Sequence, residues 1–253
     1  MIKRSKNTRL TLKKVTFQTI MNNIKAVKRH LIYEDNHLLV FNKQQGVLVQ
    51  GDKTGDISLL DILKNYLKIT KKKEGNVYLG LVHRLDRTSS GVMVFAKTSK
   101  ALSRLNKQFK NREVLKTYWA IVEGENIPKE EKLINWLIKR KKINKSIVLS
   151  KELEGSKRAI LTYKLIKRLK NYSFIEVELE TGRHHQIRSQ IASRGFPIKG
   201  DLKYGSKRSN KNSCIYLHSR YLTLFHPVTK KKLRFVARCP KDSLWESCEE
   251  VNS

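Results

Sequence analysis

Asp86 lies in a polar segment between two apolar runs, a pattern typical of a reactive loop held by a buried scaffold. The apolar runs cover residues 79–82 and 92–96. An ionised carboxylate that leaves water needs a cationic partner or a chemical purpose. Arg84 and Arg87 are the nearest cations in sequence. The local pattern therefore leaves two interpretations open, a turn aspartate in a local salt bridge or a catalytic carboxylate.

The hydroxyls and glycine that follow Asp86 predict a turn over Ser89, Ser90 and Gly91. Hydroxyl side chains bond nearby backbone groups, and glycine permits a positive φ. The same segment lacks the Gly-x-Ser-x-Gly pattern of hydrolases, and no phosphate-binding glycine loop occurs elsewhere. Neither serine hydrolysis nor nucleotide binding is expected.

Two other side chains are candidates for chemistry, and each has an ordinary alternative. Tyr118 lies in a predicted strand over residues 114–122, where a tyrosine most often packs in the core. Arg188 lies on a predicted helix over residues 184–193, one turn from Ile191, although arginine on a helix commonly faces solvent. Hydrophobic periodicity does not decide between these alternatives.

Periodicity and capping residues predict a chain of alternating strands and short helices. The predicted helices have Ser58 or Asp56 as the cap of the first and Thr98 or Ser99 as the cap of the second, and the third begins at His184 and ends before Gly195. The predicted strands are a pair over residues 31–49, a hairpin within residues 126–157, and strands over residues 159–166, 172–181 and 215–237.

The chain is strongly basic. It has 253 residues, with 54 Lys and Arg against 22 Asp and Glu, a formal net charge of +32. Such an excess favours a polyanionic partner such as nucleic acid, although a lysine-rich proteome would also produce it. The 39% hydrophobic content is sufficient for a real core.

Several classes of site are not expected. The three cysteines are widely spaced and include no Cys-x-x-Cys pair, which argues against disulfides and structural zinc. Adjacent His184 and His185 point in different directions on a helix, so we expect no metal site. No apolar run reaches the length of a membrane span, and the default expectation is a cytoplasmic protein with no membrane association.

Motifs in a fixed order resemble those of the RluA family of RNA pseudouridine synthases. They are His83-Arg84-Leu85-Asp86 with Ser90-Gly91, residues 31–43, Lys116-Thr117-Tyr118, residues 181–188, Gly200-Asp201 with Tyr204-Gly205, and Leu217-His218 with His226-Pro227. The chain departs from the family pattern at Gln44, Thr88, Ser89 and His184. None of these departures affects Asp86, Tyr118 or Arg188.

The resemblance implies an α+β fold, a long, bent, mixed and mainly antiparallel β-sheet flanked by helices, with a central active-site cleft. It implies that Asp86 is the catalytic carboxylate and that Arg188 pairs with it. It implies that Tyr118 stacks on the target uracil and takes part in proton removal at C5. No cofactor is required for this isomerisation.

The resemblance also implies substrate contacts. Arg84 is expected to enter the space that the extruded base vacates, and Leu217 to line the pocket floor. His83, Arg183 and His185 are expected to contact the substrate. The expected partner is ribosomal or transfer RNA, with no protein partner and a monomeric enzyme.

The expected domain organisation is a basic, flexible arm over residues 1–30, a catalytic domain over residues 31–240 and a tail over residues 241–253. The arm contains no Asp or Glu, and an organellar transit peptide or an extension upstream of Met21 are alternatives. It is too short for the S4 domain of many relatives, so a catalytic domain alone is expected. The alternative functions are a non-catalytic RNA-binding or ribosome-assembly protein and a metal-dependent nuclease.

Overall fold

The computed structural model describes residues 24–249, and its strands form one eleven-stranded sheet within this range. The main path of the sheet is β1-β2-β4-β10-β5-β9-β8-β6-β7, with β11 paired to β10 and β3 paired to β4. The strands are β1 (Leu31–Glu34), β2 (Leu38–Lys43), β3 (Gly80–Leu81), β4 (Ser90–Ala96), β5 (Leu115–Glu123), β6 (Glu130–Arg140), β7 (Lys145–Leu149), β8 (Lys157–Arg168), β9 (Tyr172–Leu179), β10 (Leu217–Phe225) and β11 (Lys232–Val236). Neighbouring strands are antiparallel except β4 and β10, which are parallel. The predicted mixed, mainly antiparallel α+β architecture is confirmed.

Five α-helices flank this sheet in the described range. They are α1 (Ile24–His30), α2 (Leu59–Thr70), α3 (Ser99–Lys110), α4 (Gln186–Ser193) and α5 (Ser243–Glu249), and a 3₁₀ turn covers Leu202–Tyr204. None of the helices in residues 24–249 is long and apolar enough to cross a membrane.

The helix starts follow from local hydrogen bonding. Ser58 caps α2, because its hydroxyl accepts from the Asp61 amide while the Asp61 carboxylate accepts from the Ser58 amide. Thr98 caps α3 by accepting from the Ala101 amide. Gly195, with φ +89°, follows α4 in the left-handed conformation. These three predicted helix boundaries are confirmed.

The middle of the sheet is buried on both faces. Along β2, Leu39 and Phe41 pack into the core that lies against α2 and α4, whereas Leu38 and Val40 pack into the core against α3. Every residue of β2 and β4 is buried. The loop that joins β3 to β4 and carries Asp86 is therefore attached to a rigid support.

The turn after Asp86 lies earlier than the sequence predicted. The Ser89 amide donates to the Asp86 carbonyl at 3.1 Å, so the turn spans residues 86–89, while Ser90 and Gly91 belong to β4. Gly91 has φ +122°, and a Cβ atom there would lie 2.3 Å from the carbonyl oxygen of Ser219 on β10. Only glycine allows β4 and β10 to approach this closely beside the Asp86 turn.

The predicted domain limits at residues 31 and 240 are corrected at both ends. Helix α1 precedes residue 31 and buries Val27 in the main core. Helix α5 follows residue 240 and buries Trp245 and Cys248 against Trp119. Both helices belong to the folded unit. The rest of the predicted flexible arm and of the tail lies outside the described residues.

Candidate active site

Asp86 lies on the wall of a cleft with about 410 Å³ of empty volume, at the centre of the sheet. Its side chain is 29% exposed and is therefore accessible to a ligand. The Asp86 turn, β5, β9, α4 and β10 all contribute to this cleft. The lining residues are Arg84, Leu85, Asp86, Ser89, Tyr118, Leu179, Arg183, His185, Gln186, Ile187, Arg188 and Leu217.

Arg188 connects Asp86 to a second carboxylate beneath the cleft. Its Nη1 donates to Asp86 Oδ2 at 2.8 Å. Its Nε and Nη2 donate to the two oxygens of Asp201 at 2.7 and 2.8 Å, a bidentate pair. Burial alone lowers the pKa of Arg188, but Asp201 and Asp86 reverse this effect and raise it above its ordinary value. Arg188 therefore remains a fixed positive charge.

The environment of Asp86 favours its ionised form. Burial raises the pKa of the Asp86 carboxyl, but the electrostatic interactions with His185, Arg188 and His184 and the Arg188 hydrogen bond lower it by more, so the net shift is downward. Burial lowers the pKa of His185 to about 3, despite the neighbouring Asp86. His185 is consequently neutral near pH 7, and Arg188 is the charge that stabilises the Asp86 carboxylate there.

Tyr118 provides an aromatic wall. It lies on β5, where it pairs with Ser219 of β10 and Val177 of β9, and its side chain faces the cleft. Burial raises the pKa of Tyr118 to about 12, and the nearby Asp86 adds to this effect while a hydrogen bond with Ser219 opposes it. The phenol is therefore protonated at neutral pH.

Lys43 supports the Asp86 turn from below and was not among the predicted site residues. It is fully buried, and its ammonium donates to the carbonyls of Gln44, Arg87 and Ser89 at 3.1, 3.3 and 2.6 Å. Burial lowers the pKa of Lys43 to about 7. The position of Lys43 at the end of an apolar strand could have indicated this role. A buried ammonium needs several hydrogen-bond acceptors, and the backbone carbonyls of the nearby turn provide them.

Seven of the eight predicted site residues line the cleft. They are Asp86, Tyr118, Arg188, Arg84, Arg183, His185 and Leu217.

His83 is the exception, and its predicted place in the substrate pocket is corrected. The His83 ring stacks on Phe109 of α3 at 5.0 Å, and its Nε2 accepts from the Val94 amide at 3.1 Å. The His83 ring therefore packs against α3 and is not among the residues that line the cleft.

The structure assigns roles to two residues that sequence reasoning left without one. Asp201, from the Gly200-Asp201 motif, holds Arg188. Gln186 accepts from the Thr181 hydroxyl at 2.8 Å and from the Arg183 amide at 2.9 Å, which fixes the turn before α4. Residues 24–249 contain no group of three or more His, Cys, Asp or Glu side chains arranged to hold a metal ion.

Comparison with known proteins identifies the family. The model of the RNA pseudouridylate synthase family matches residues 37–193, which is more than half of the chain. The chain belongs to the RNA pseudouridylate synthase family. The resemblance to the RluA family is confirmed, and the protein is an enzyme that acts as an RNA pseudouridine synthase.

Several relatives and solved structures are similar over most of their length. Ribosomal large subunit pseudouridine synthase D of Buchnera aphidicola subsp. Schizaphis graminum is 32% identical over 228 residues, covering 83% of this chain and 70% of the relative. Ribosomal large subunit pseudouridine synthase C of Rickettsia prowazekii is 34% identical over 220 residues, covering 85% and 70%. Human RNA Pseudouridylate Synthase Domain Containing 4 shares the fold with a TM-score of 0.76 at 23% identity, covering 93% of this chain and 98% of the human chain.

Proposed function

We propose that the protein converts uridines of large-subunit ribosomal RNA to pseudouridine in the cleft, with Asp86 as the catalytic carboxylate. The reaction breaks the bond between C1′ and N1, rotates the uracil and joins C1′ to C5. N1 gains a proton, and C5 loses one. The atoms and electrons of the nucleoside balance, so neither a cofactor nor an energy source is needed.

The observation that carries the proposal is the pairing of an accessible Asp86 with a buried Arg188 at 2.8 Å. The carboxylate can add to the base, attack C1′ or remove a sugar proton, and each of these routes requires its ionised form. Arg188 stabilises the ionised form of Asp86 at neutral pH and fixes the orientation of the carboxylate.

Tyr118 is assigned to holding the uracil. An aromatic ring offers a stacking surface for a base that has left the RNA stack. With a pKa of about 12, only roughly one phenol in 10⁵ is ionised at pH 7. If Tyr118 removes the C5 proton, its phenolate must form during the reaction step. Stacking on the uracil needs only the neutral phenol, which is the form present at pH 7.

The surroundings of the cleft suit RNA. Flipping a uridine out of its stack costs a few kcal/mol, which stacking and phosphate contacts must offset. Arg84 is exposed at the cleft and Arg183 is half-buried beside it. Large-subunit ribosomal RNA is proposed as the target because the names of two relatives with extensive coverage specify it.

A basic hairpin at the end of the β6–β7 pair adds a second RNA contact to the proposal. Lys139, Arg140, Lys141 and Lys142 are all exposed there. The hairpin is attached to the segment before α4, since His184 Nε2 lies 3.1 Å from the side-chain oxygen of Asn144. This arrangement places positive charge near the cleft, where phosphates that flank the target uridine can bind.

We also propose that the enzyme acts as a monomer on cytoplasmic RNA. Size-exclusion chromatography with light scattering can check the monomeric state.

Tritium release from RNA labelled with 5-³H-uridine tests the proposed activity. The wild-type protein is expected to release tritium, and Asp86→Asn is expected to bind RNA without releasing it. Asp52→Asn, the same change at an exposed aspartate, is the matched control and should match the wild-type rate. Thermal unfolding checks that both variants are folded.

The outcomes separate the alternatives. Normal release by Asp86→Asn would remove this carboxylate from the mechanism. Binding without release by the wild type would favour a non-catalytic RNA-binding protein, and strand cleavage that chelators inhibit would favour a nuclease. Mapping of pseudouridines in a deletion strain would distinguish ribosomal from transfer RNA as the target.

A further inference from the structure

The hydroxyl of Tyr204 lies between a backbone amide and a histidine. The Ser146 amide donates to this hydroxyl at 2.7 Å, and the hydroxyl lies 3.0 Å from His185 Nδ1. All three residues are buried. Within the described residues, Nδ1 of His185 is the one potential acceptor at hydrogen-bond distance from this hydroxyl, so the phenol proton is assigned to that contact.

This contact determines which ring nitrogen of His185 carries hydrogen. Burial keeps the imidazole neutral, so it has a single N–H. Nδ1 accepts from Tyr204, and the hydrogen therefore resides on Nε2. Nε2 lies 3.5 Å from Asp86 Oδ2, and catalytic hydrogen bonds are often this long before the substrate binds.

The backbone of His185 supports the same arrangement. His185 has φ 51° and ψ 29°, a left-handed conformation that is uncommon for residues other than glycine, although asparagine, aspartate and histidine adopt it more often than the rest. It stands at the start of α4, yet its side chain makes no capping hydrogen bond to the helix. The uncommon backbone conformation directs the ring toward Asp86 and Tyr204 instead.

We propose that His185 is a second hydrogen-bond donor to the Asp86 carboxylate, and that Ser146 and Tyr204 hold it in the Nε2–H tautomer. The inference deepens the proposed function and rests on it. In the described residues, Arg188 Nη1 and His185 Nε2 both contact Oδ2 of Asp86. Both contacts use Oδ2, which leaves Oδ1 as the oxygen proposed to react. His185 and Tyr204 are positioning residues, and His185 acts on the carboxylate instead of on the substrate.

Three substitutions test this chain of contacts. In His185→Gln the amide nitrogen reaches the position of Nε2, whereas in His185→Asn the amide reaches only the position of Nδ1. Asparagine also tolerates the left-handed backbone well, so His185→Asn isolates the loss of the donor. Tyr204→Phe removes the hydroxyl and keeps the ring.

Single-turnover tritium release is the measurement. We expect His185→Asn to lower the rate about 100-fold with KM for RNA within about threefold, as for a donor that acts on the reacting group. His185→Gln is expected to stay within about tenfold of the wild type. Tyr204→Phe is expected to lower the rate about tenfold in the wild-type background and to have little effect in His185→Gln, because the two residues act through one contact.

The pH profile provides a second readout. Loss of a donor to the carboxylate raises the pKa of Asp86, so the acid limb of the rate should move to higher pH in His185→Asn. A residue that only supports packing would lower the rate without moving this limb.

Failure of the inference is distinguishable from failure of the proposed function. If the wild type releases no tritium, the proposed function fails. If the wild type is active and Asp86→Asn is inactive, three results would overturn the role of His185 alone. The first is a wild-type rate of tritium release in His185→Asn. The second is an increase in KM for RNA in His185→Asn with no change in rate. The third is an equal loss of rate in folded His185→Gln and His185→Asn.

Discussion

Asp201→Asn is the most direct test of the contacts that hold the active site. Asp201 is 1% exposed and does not line the cleft, so the substitution leaves the reacting groups unchanged. It removes one of the two negative charges that contact Arg188, and it places an amide hydrogen-bond donor against a guanidinium donor. Any loss of activity must therefore act through Arg188.

The expected loss of stability follows from burial. Removing one partner of a buried ion pair typically costs about 3–5 kcal/mol. Asp86 remains as a counterion and asparagine keeps one acceptor, so we expect the lower end, about 3 kcal/mol. For a chain of this length the unfolding midpoint should fall by about 6–12 °C.

The expected loss of activity follows from orientation. In Asp201→Asn the guanidinium of Arg188 loses one of the two hydrogen bonds that Asp201 accepts, so its position is less constrained. A shift of about 1 Å can lower a rate by about 100-fold. Single-turnover tritium release below the unfolding range measures this effect on folded protein.

The matched control is Glu130→Gln, which breaks an exposed ion pair. The Lys164 Nζ to Glu130 Oε1 distance is 3.6 Å, and the side chains are 61% and 55% exposed. Such a pair contributes about 0–1 kcal/mol, so the midpoint should move by no more than about 4 °C and the rate should not change. If Asp201→Asn behaved like this control, the idea that Asp201 orients Arg188 would be refuted.

Three other predictions follow from single features of the fold. Gly91→Ala should lower the free energy of unfolding in urea by several kcal/mol, because the added Cβ meets the backbone of Ser219. Gly195 also has a positive φ but has open space around it, so Gly195→Ala should lower it by about 1 kcal/mol. Equal losses in the two variants would contradict the close approach of β4 and β10. The His83 ring lies outside the cleft, so His83→Gln should have a rate and a KM within about threefold of the wild type. A large increase in KM would indicate instead that His83 contacts the substrate. The pKa of Lys43 is about 7 in the folded protein against an ordinary 10.5. Between pH 7 and 10.5 the folded protein therefore binds fewer protons at Lys43 than the unfolded chain does, so the free energy of unfolding should rise with pH in this range. Lys43→Met should flatten that rise in urea midpoints between pH 7 and 9, and an unchanged slope would show that Lys43 titrates normally.

Local features of the fold were predictable because local physics produces them. Ser58 and Thr98 cap helices through their own hydroxyls and amides a few residues away. The strand positions follow from side-chain alternation in the same way. The parallel pairing of Ser90 on β4 with His218 on β10 joins positions far apart in sequence, and no local pattern contains it. The family resemblance implied a mixed sheet, but it did not specify this pairing.

The charge partner of Asp86 shows why sequence proximity was a poor guide to the site. Arg87, the nearest cation, pairs instead with Asp56 at 2.9 Å, because the turn over residues 86–89 carries its side chain away. The partner that matters, Arg188, is 102 positions distant. The family resemblance implied the pairing of Asp86 with Arg188. Sequence spacing could not predict it, because the two residues meet only when α4 packs beside the turn that carries Asp86.

The two carboxylates on Arg188 differ in burial, and this difference suits the roles proposed for them. Asp86 must lose its negative charge if it forms a bond to the nucleoside or accepts a proton. A buried guanidinium with no remaining counterion would then cost several kcal/mol and would oppose the step. Asp201 is too deeply buried to react and keeps both of its contacts with Arg188. Because Asp201 holds Arg188 through two hydrogen bonds of its own, Asp86 can change its charge without leaving an unpaired cation in the core of the sheet.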